Sequence, residues 1–379
     1  MQTEGHKIIV VDNSLYFTGA FNAIYKICCE LREYYEFIFV LPEKSDVLSI
    51  VESESFSTYT LPFVELGRRP RNLLNYLPSL IRNSIDIRRI VHQNGVRILH
   101  VNDVYNLTGI LVKLLDPSIG LVAHVRLLPH SIPLFIYRFW VGIYSLMAER
   151  MICVSQAVKK EVENPEAIVI YDGICRAEKY PFIKSPLVNA TAINLLYLGN
   201  YIPGKGQNYA LEAFKRAYRE IPNLRLKFVG GTYELGKNRK FKESLVRKAY
   251  KYGLDNVITF EIETDNVEKE IKNADIVLNF SESESFSFTC LEALYYGTPL
   301  IVSDCGGPAE LFEQKKSGYL VPNKDVNAMT KAIVHLAKNP AIRQKYSTES
   351  RRYVKNKIPY LTAKDSLKKI YDELLDGED

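Results

Sequence analysis

The sequence predicts an α/β protein made of two doubly wound, parallel-sheet domains, and three observations carry that expectation. Its 379 residues are 47% hydrophobic and 25% charged, ordinary globular material of a length that favours two cores over one. Short apolar runs alternate with longer stretches of helical period, the pattern of a parallel sheet with crossover helices. The alternation lapses near the middle of the chain and then begins again.

In the first half the strand-like runs are Ile8 to Val11, Phe37 to Leu41, Ile98 to Val101, Leu121 to Val125 and Met151 to Val154. In the second they are Ile193 to Leu198, Leu226 to Val229, Val257 to Phe260, Ile276 to Phe280, Leu300 to Val302 and Tyr319 to Val321. Between the halves, Arg176 to Ala192 contains Pro181 and Pro186 and no sustained period. It reads as a linker between a domain over residues 1–178 and another over 191–361, with a ligand cleft expected beside it. Leu367, Ile370, Tyr371 and Leu374 recur at helical spacing, predicting a surface-packed helix over about 362–379 that can return to the first domain. The longest apolar stretch, Ile132 to Ala148, contains Arg138 and Pro133 and falls short of the roughly 20 residues of a spanning helix. A buried helix is expected there.

Composition narrows the function classes. The six cysteines, Cys28, Cys29, Cys153, Cys175, Cys290 and Cys305, have neither a zinc spacing nor that of a secreted disulfide framework. The N-terminal residues pass directly into the Ile8 run, leaving no room for a signal peptide, so a cytoplasmic location is expected. A formal charge of +5 suits phosphorylated substrates or an anionic membrane surface and is too small to argue for nucleic acid. With no Asp-x-Asp motif and scattered histidines, no metal is expected.

The most informative segment runs from Asp275 to Val302. It begins as an apolar strand, passes through the polar turn Ser281 to Ser287, and enters a helix that Gly297 and Pro299 end. Such a turn lies at the carboxyl end of a parallel sheet, where open α/β sheets bind ligands. The helix start offers backbone N–H groups, from about Ser287 to Thr289, to an anion such as a diphosphate. Within it Glu284 and Glu292 are separated by seven residues. Read as a glycosidase pair they would need carboxyls about 5 to 5.5 Å apart, whereas eight helical residues advance roughly 12 Å. The spacing argues against hydrolysis.

Glu284 and Glu292 resemble the E-x7-E motif of the retaining glycosyltransferases called family 4. Leu291-Glu-Ala-Leu resembles that family's helix, Gly297-Thr-Pro-Leu-Ile-Val-Ser-Asp-Cys-Gly-Gly307 its following strand and turn, and Ser317-Gly-Tyr-Leu-Val-Pro322 a further one. The resemblance implies the GT-B architecture, two Rossmann-like domains facing across a cleft. It also implies transfer of a sugar, with retention, from a nucleoside-diphosphate sugar to a hydroxyl acceptor such as a saccharide or lipid-linked saccharide, with no cofactor. By the same resemblance Glu284 would hold the sugar hydroxyls and Glu292 the ribose. Ser285 and Ser287 stand where the family has glycine.

Gly199 to Lys205 also fits the first seven positions of a P-loop, but Gly206 replaces the Ser or Thr that would bind magnesium. The segment instead resembles the family's glycine-rich turn, implying that Lys205 neutralises the leaving diphosphate. Asn200 stands in the place of the family's arginine and is carried as a polar contact. In the first half Gly19 matches part of the family's glycine loop beneath the phosphates, with Ala20 beside it. His124, in Leu121-Val-Ala-His-Val-Arg126, is the candidate for the family's histidine at the sugar, with His100, His130 and Arg126 nearby; Ile170-Tyr-Asp172-Gly resembles the family's Asn-Gly turn. Arg68, Arg69 and Arg71 precede a helical segment carrying Arg82, Arg88 and Arg89, a basic run suited to an acceptor diphosphate or the inner membrane face. The other classes weighed are a sugar-nucleotide epimerase, a noncatalytic partner subunit and a dehydrogenase, the last lacking the G-x-G-x-x-G turn.

Overall fold

The structure is a computed structural model that describes residues 5–64, 70–173, 192–262, 264, 266–357 and 360–377. It forms two compact units, one of Met1–Cys175 with Tyr360–Asp379, the other of Arg176–Pro359.

The first unit is built on seven parallel strands: β1 (His6–Val11), β2 (Tyr35–Pro42), β3 (Ser57–Leu61), β4 (Ile98–Val101), β5 (Gly120–Val125), β6 (Arg150–Cys153) and β7 (Ile168–Val169). Their spatial order is β3-β2-β1-β4-β5-β6-β7. Ile8, Ile9, Val10 and Val11 are all fully buried, because helices cover both faces of the sheet and leave no polar side for the strand to show. Edge strand β3, Ser-Thr-Tyr-Thr-Leu, has no apolar run, and β7 is only two residues of the short run Ala167 to Ile170, so both escape the sequence reading. The helices are α1 (Gly19–Leu31), α2 (Leu48–Ser53), α3 (Pro70–Asn94), α4 (Thr108–Leu115), α5 (Leu134–Met147) and α6 (Gln156–Val162). Helix α1 starts where Thr18 accepts a hydrogen bond from the amide of Phe21, and Ser155 caps α6 in the same way.

One expectation fails here. The apolar stretch around α5 is not a buried helix: Tyr137, Trp140, Val141 and Tyr144 pack inward, but Phe135, Phe139 and Leu146 are exposed on its opposite side. An apolar period all round a helix signals burial only if something covers both sides, and among the described residues only one is covered. No helix among them is long and apolar enough to cross a membrane.

The second unit repeats the plan with β8 (Ile193–Leu198), β9 (Leu224–Val229), β10 (Ile258–Glu261), β11 (Ile276–Asn279), β12 (Leu300–Ser303) and β13 (Tyr319–Val321), all parallel, in the order β10-β9-β8-β11-β12-β13. Its helices are α7 (Gln207–Glu220), α8 (Gly236–Lys251), α9 (Val267–Asn273), α10 (Phe288–Tyr296), α11 (Val326–Lys338) and α12 (Pro340–Lys357). The sheet order reverses between β8 and β11, so the loops after these two strands part at their carboxyl ends and leave a crevice. The last helix, α13 (Tyr360–Asp376), belongs to the first unit, where Ala363, Leu367, Ile370, Tyr371 and Leu375 join the core of β1, β2 and α1.

Candidate functional site

The crevice of the second unit brings Lys205 and Glu284 together. The loop after β8 turns at Gly199, Gly204 and Gly206, all with positive φ. At Gly206 a Cβ would lie 2.0 Å from the carbonyl oxygen of Phe280, so only glycine lets the backbone pass β11 and start α7. Tyr197 fixes the loop from beneath: its hydroxyl donates to the Lys205 carbonyl at 2.5 Å and accepts from the Phe280 amide at 2.8 Å. The Lys205 ammonium is thereby placed 3.2 Å from Glu284 Oε1.

Glu284 is held as firmly. Its amide donates to the Cys305 carbonyl, and its own carbonyl accepts from Gly307 at 2.9 Å. A Cβ on Gly307 would come within 1.9 Å of the Ser285 carbonyl oxygen, which explains the glycine pair after β12. Asn279, at the end of β11, donates to Glu284 Oε2 at 3.2 Å and to Ser287 Oγ at 3.1 Å. The carboxylate faces an ammonium on one side and an amide on the other. The Glu284 charge beside it raises Lys205 above the ordinary lysine value, so the ammonium stays protonated at neutral pH.

Ser287 is the N-cap of α10, accepting from the Cys290 amide at 3.3 Å. The amides of Phe288 and Thr289 precede the first intrahelical bond, from Leu291 to Ser287, and mark the positive end of the helix dipole. The serine that departs from the glycine pattern thus serves locally, starting the helix and bracing Asn279. Glu292 lies one turn further along α10, half-buried. Gly297, with φ of 71°, ends the helix. The nearby thiols are not nucleophiles at neutral pH: burial and the Glu284 charge push Cys290 up, and Cys305 up to about 12.

Asn200 is committed elsewhere. Its amide nitrogen donates to Tyr233 Oη at 2.5 Å and its oxygen accepts from the Gly231 amide at 2.8 Å, tying the loops after β8 and β9 together. Sequence reasoning missed Asn279 and Tyr197. Asn279 left a signal, a lone amide inside the apolar run Ile276 to Phe280; Tyr197 left none.

In the first unit the strand ends of β1, β4 and β5 carry a buried polar chain. Arg126 donates from Nη1 to both Asp172 oxygens, at 3.0 and 2.9 Å, and from Nε to Asn102 Oδ1 at 2.6 Å. Asn102 in turn donates to Asp12 Oδ2 at 2.5 Å. The second guanidinium nitrogen lies 3.2 Å from His124 Nδ1. A guanidinium cannot accept, so His124 Nδ1 accepts and the ring proton sits on Nε2. His124 is 2% exposed and stacks on His100 with centroids 5.6 Å apart, and its Nε2 is buried without a hydrogen-bond partner. Burial, then the nearby Arg126 charge, lowers both imidazoles, His100 to about 3, so both stay neutral. His100 Nδ1 pairs with Tyr371 Oη of α13 at 2.6 Å. Burial raises the Asp103 carboxyl to about 7. Gly19 opens α1 directly after its Thr18 cap. His130 sits exposed in the short helical turn Pro129–Ser131. Arg68, Arg69 and the side chain of Arg71 lie outside the described residues, and no cluster of metal-binding type occurs among the described ones.

Against known proteins, residues 181–353 match the family described as glycosyl transferases group 1. An uncharacterised glycosyltransferase of Methanocaldococcus jannaschii is 23% identical over 310 residues, covering 76% of this chain and 79% of that protein. Another, of Haemophilus influenzae, is 25% identical over 169 residues, 44% of this chain and 46% of its own length; the chain thus spans less than half of that relative. Among solved structures, HepE of Anabaena in complex with UDP and glucose superposes with a TM-score of 0.81 at 17% identity, covering 97% of this chain and 99% of that one. Sucrose-phosphate synthase of Thermosynechococcus elongatus gives 0.80 at 18%, with 98% and 100% covered. The fold is GT-B, as its two parallel-sheet units indicate.

Proposed function

We propose that this chain, a glycosyltransferase with the GT-B fold, moves a sugar from a nucleoside-diphosphate sugar to a hydroxyl acceptor and retains the anomeric configuration. The observation that carries the reading is the Lys205–Glu284 pair in the crevice between β8 and β11, beside the first turn of α10. Lys205 and the amides of Phe288 and Thr289 offer positive potential to a diphosphate, and Glu284 offers an acceptor to the hydroxyls of the attached sugar. Glu292 takes the ribose hydroxyls. As the glycosidic bond breaks, negative charge grows on the departing phosphate, and fixed cations and dipoles there lower the barrier. Acceptor attack on the face of the leaving group accounts for retention without a protein nucleophile. The high thiol values of Cys290 and Cys305 agree with that.

We assign the acceptor to the first unit, with the basic segment of Arg68, Arg69 and Arg71 as its polar contacts; Arg126, buried and spent on Asp172, Asn102 and His124, braces the strand ends beneath it. His124 acts there through Arg126: buried, with Nδ1 accepting from the guanidinium and the ring proton on Nε2, it positions that side chain and is not a general base. Saccharide or lipid-linked saccharide assembly at the cytoplasmic side of a membrane is the setting we infer. UDP-glucose is the first donor to test, because a protein of the same fold was solved with it. A donor at a hundred times its dissociation constant adds about 2.7 kcal/mol of stability, which a thermal-shift screen of UDP-, GDP- and ADP-sugars detects. Proton NMR of the product with the selected donor reads the anomer; an inverted product, or no stabilisation by any donor, overturns the proposal.

A further inference from the structure

Helices α3, α4 and α5 lie side by side on one face of the first unit, with α4 packed against both neighbours. Their outer surface is apolar where a protein surface is normally polar. On α3, Leu77, Ile81 and Ile85 are exposed along one stripe at spacings of four residues. On α5, Phe135, Phe139 and Leu146 fall on one stripe opposite the buried side, and they are 74%, 58% and 85% exposed. Isolated exposed apolar side chains need no explanation, but two such stripes on the helices that flank α4 do.

The charges around this set are mostly basic, and the acidic ones are already paired. Helix α5 has a single charged residue in fourteen, the exposed Arg138, and α4 has only Lys113. The described part of α3 adds the exposed Arg82, Arg88 and Arg89 against Asp86, which is already bridged by Arg82 and Arg89. At the ends of the helices, Glu149 pairs with Lys113 and Asp116 with His92. The surface is therefore an apolar ridge in a basic frame. A second copy docking through it would set these arginines against one another, whereas an anionic bilayer would neutralise them while taking the aromatic and aliphatic side chains into its interfacial layer.

We propose that the α3–α4–α5 face is a membrane-docking surface that seats the first unit on an anionic lipid bilayer. It is independent of the donor site and carries the enzyme to acceptors that reside at a bilayer. The test is cosedimentation of the full chain with vesicles of phosphatidylcholine and with equimolar phosphatidylcholine and phosphatidylglycerol. The chain partitions to the anionic vesicles and only weakly to the neutral ones. The triple variant Phe135→Ser/Phe139→Ser/Leu146→Ser loses partition at least about tenfold, and Arg88→Gln/Arg138→Gln loses about tenfold on anionic vesicles alone. These side chains are exposed, so both variants keep the wild-type melting temperature, and UDP binding measured without vesicles is unchanged in both. Failure of this surface and failure of the donor site therefore show separately. Wild-type chain left in the supernatant with anionic vesicles overturns the proposal, as does a triple variant that partitions like wild type. A wild-type dimer in sedimentation equilibrium that the triple variant dissociates would assign the face to a second copy instead.

Discussion

Replacing Lys205 by methionine removes the ammonium and leaves the side chain's stem, along with the backbone carbonyl that Tyr197 binds. A unit charge about 4 Å from an ammonium gains about 4 kcal/mol at an effective dielectric near 20. Lys205 is 37% exposed, and its field is already partly directed at Glu284 3.2 Å away, so the loss on a bound diphosphate is smaller, about 2 to 3 kcal/mol. That corresponds to about 30- to 150-fold in affinity or in kcat/KM. The substitution also leaves the Glu284 carboxylate uncompensated beside the incoming phosphates, which pushes the effect toward the upper end. The assay is isothermal titration with UDP, GDP and ADP, followed by release of the diphosphate from the donor the screen selects. A Lys205→Met protein that melts like wild type and stays within about threefold of it in both measurements would refute the reasoning.

Other expectations follow from the same geometry. Glu284→Gln should lower kcat/KM for the sugar donor by about 10- to 100-fold while changing UDP affinity less than about threefold, because UDP has no sugar for Glu284 to hold; equal losses for both ligands would contradict the assignment. Gly206→Ala sets a Cβ 2.0 Å from the Phe280 carbonyl oxygen at a φ of 83°, and should lower stability in urea by at least about 2 kcal/mol. An unchanged midpoint would contradict the tight passage of this loop under β11. His100 titrates near 6.5 when unfolded and near 3 when folded, so below pH 6.5 the unfolded chain takes up a proton that the folded chain refuses. Its stabilising share is full above that pH and falls by about 1.4 kcal/mol per unit toward pH 3. Asp103 acts oppositely: between 3.8 and about 7 the folded chain keeps a proton that the unfolded one releases, so its share is lost as pH rises. His100→Gln should therefore lose less stability than wild type between pH 6.5 and 5, read by urea unfolding; identical losses would contradict the neutral, buried imidazole.

Much of the architecture was legible because parallel strands covered on both faces need unbroken apolar runs, and Ile8 to Val11 or Ile276 to Leu278 have no other use. Edge strand β3 shows polar side chains to solvent and leaves no such run. The Lys205 and Glu284 positions were readable from glycines and a strand–turn–helix pattern, since backbone approach and a helix start leave fixed spacings. What held them was not. Tyr197 acts across the crevice, accepting from the Phe280 amide 83 residues away, and Asn279 and the capping Ser287 act through side-chain bonds within the turn whose direction only the folded backbone sets. His124 reads as a strand-end histidine, but the alternation of β5 turns it inward against His100, and only three-dimensional packing shows that Arg126 fixes its tautomer. Helix α5 misled for a related reason: periodicity records where apolar side chains are and is silent on what covers them.

The central claim is that a lysine and a helix start together hold a departing diphosphate. A crystal of the full chain soaked with UDP tests it most directly. The account predicts a phosphate oxygen within hydrogen-bond distance of Lys205 Nζ and of the Phe288 or Thr289 amide, with Glu284 turned from Lys205 toward the position of the sugar. A UDP molecule bound outside the β8–β11 crevice, with the Lys205–Glu284 pair intact, would contradict it.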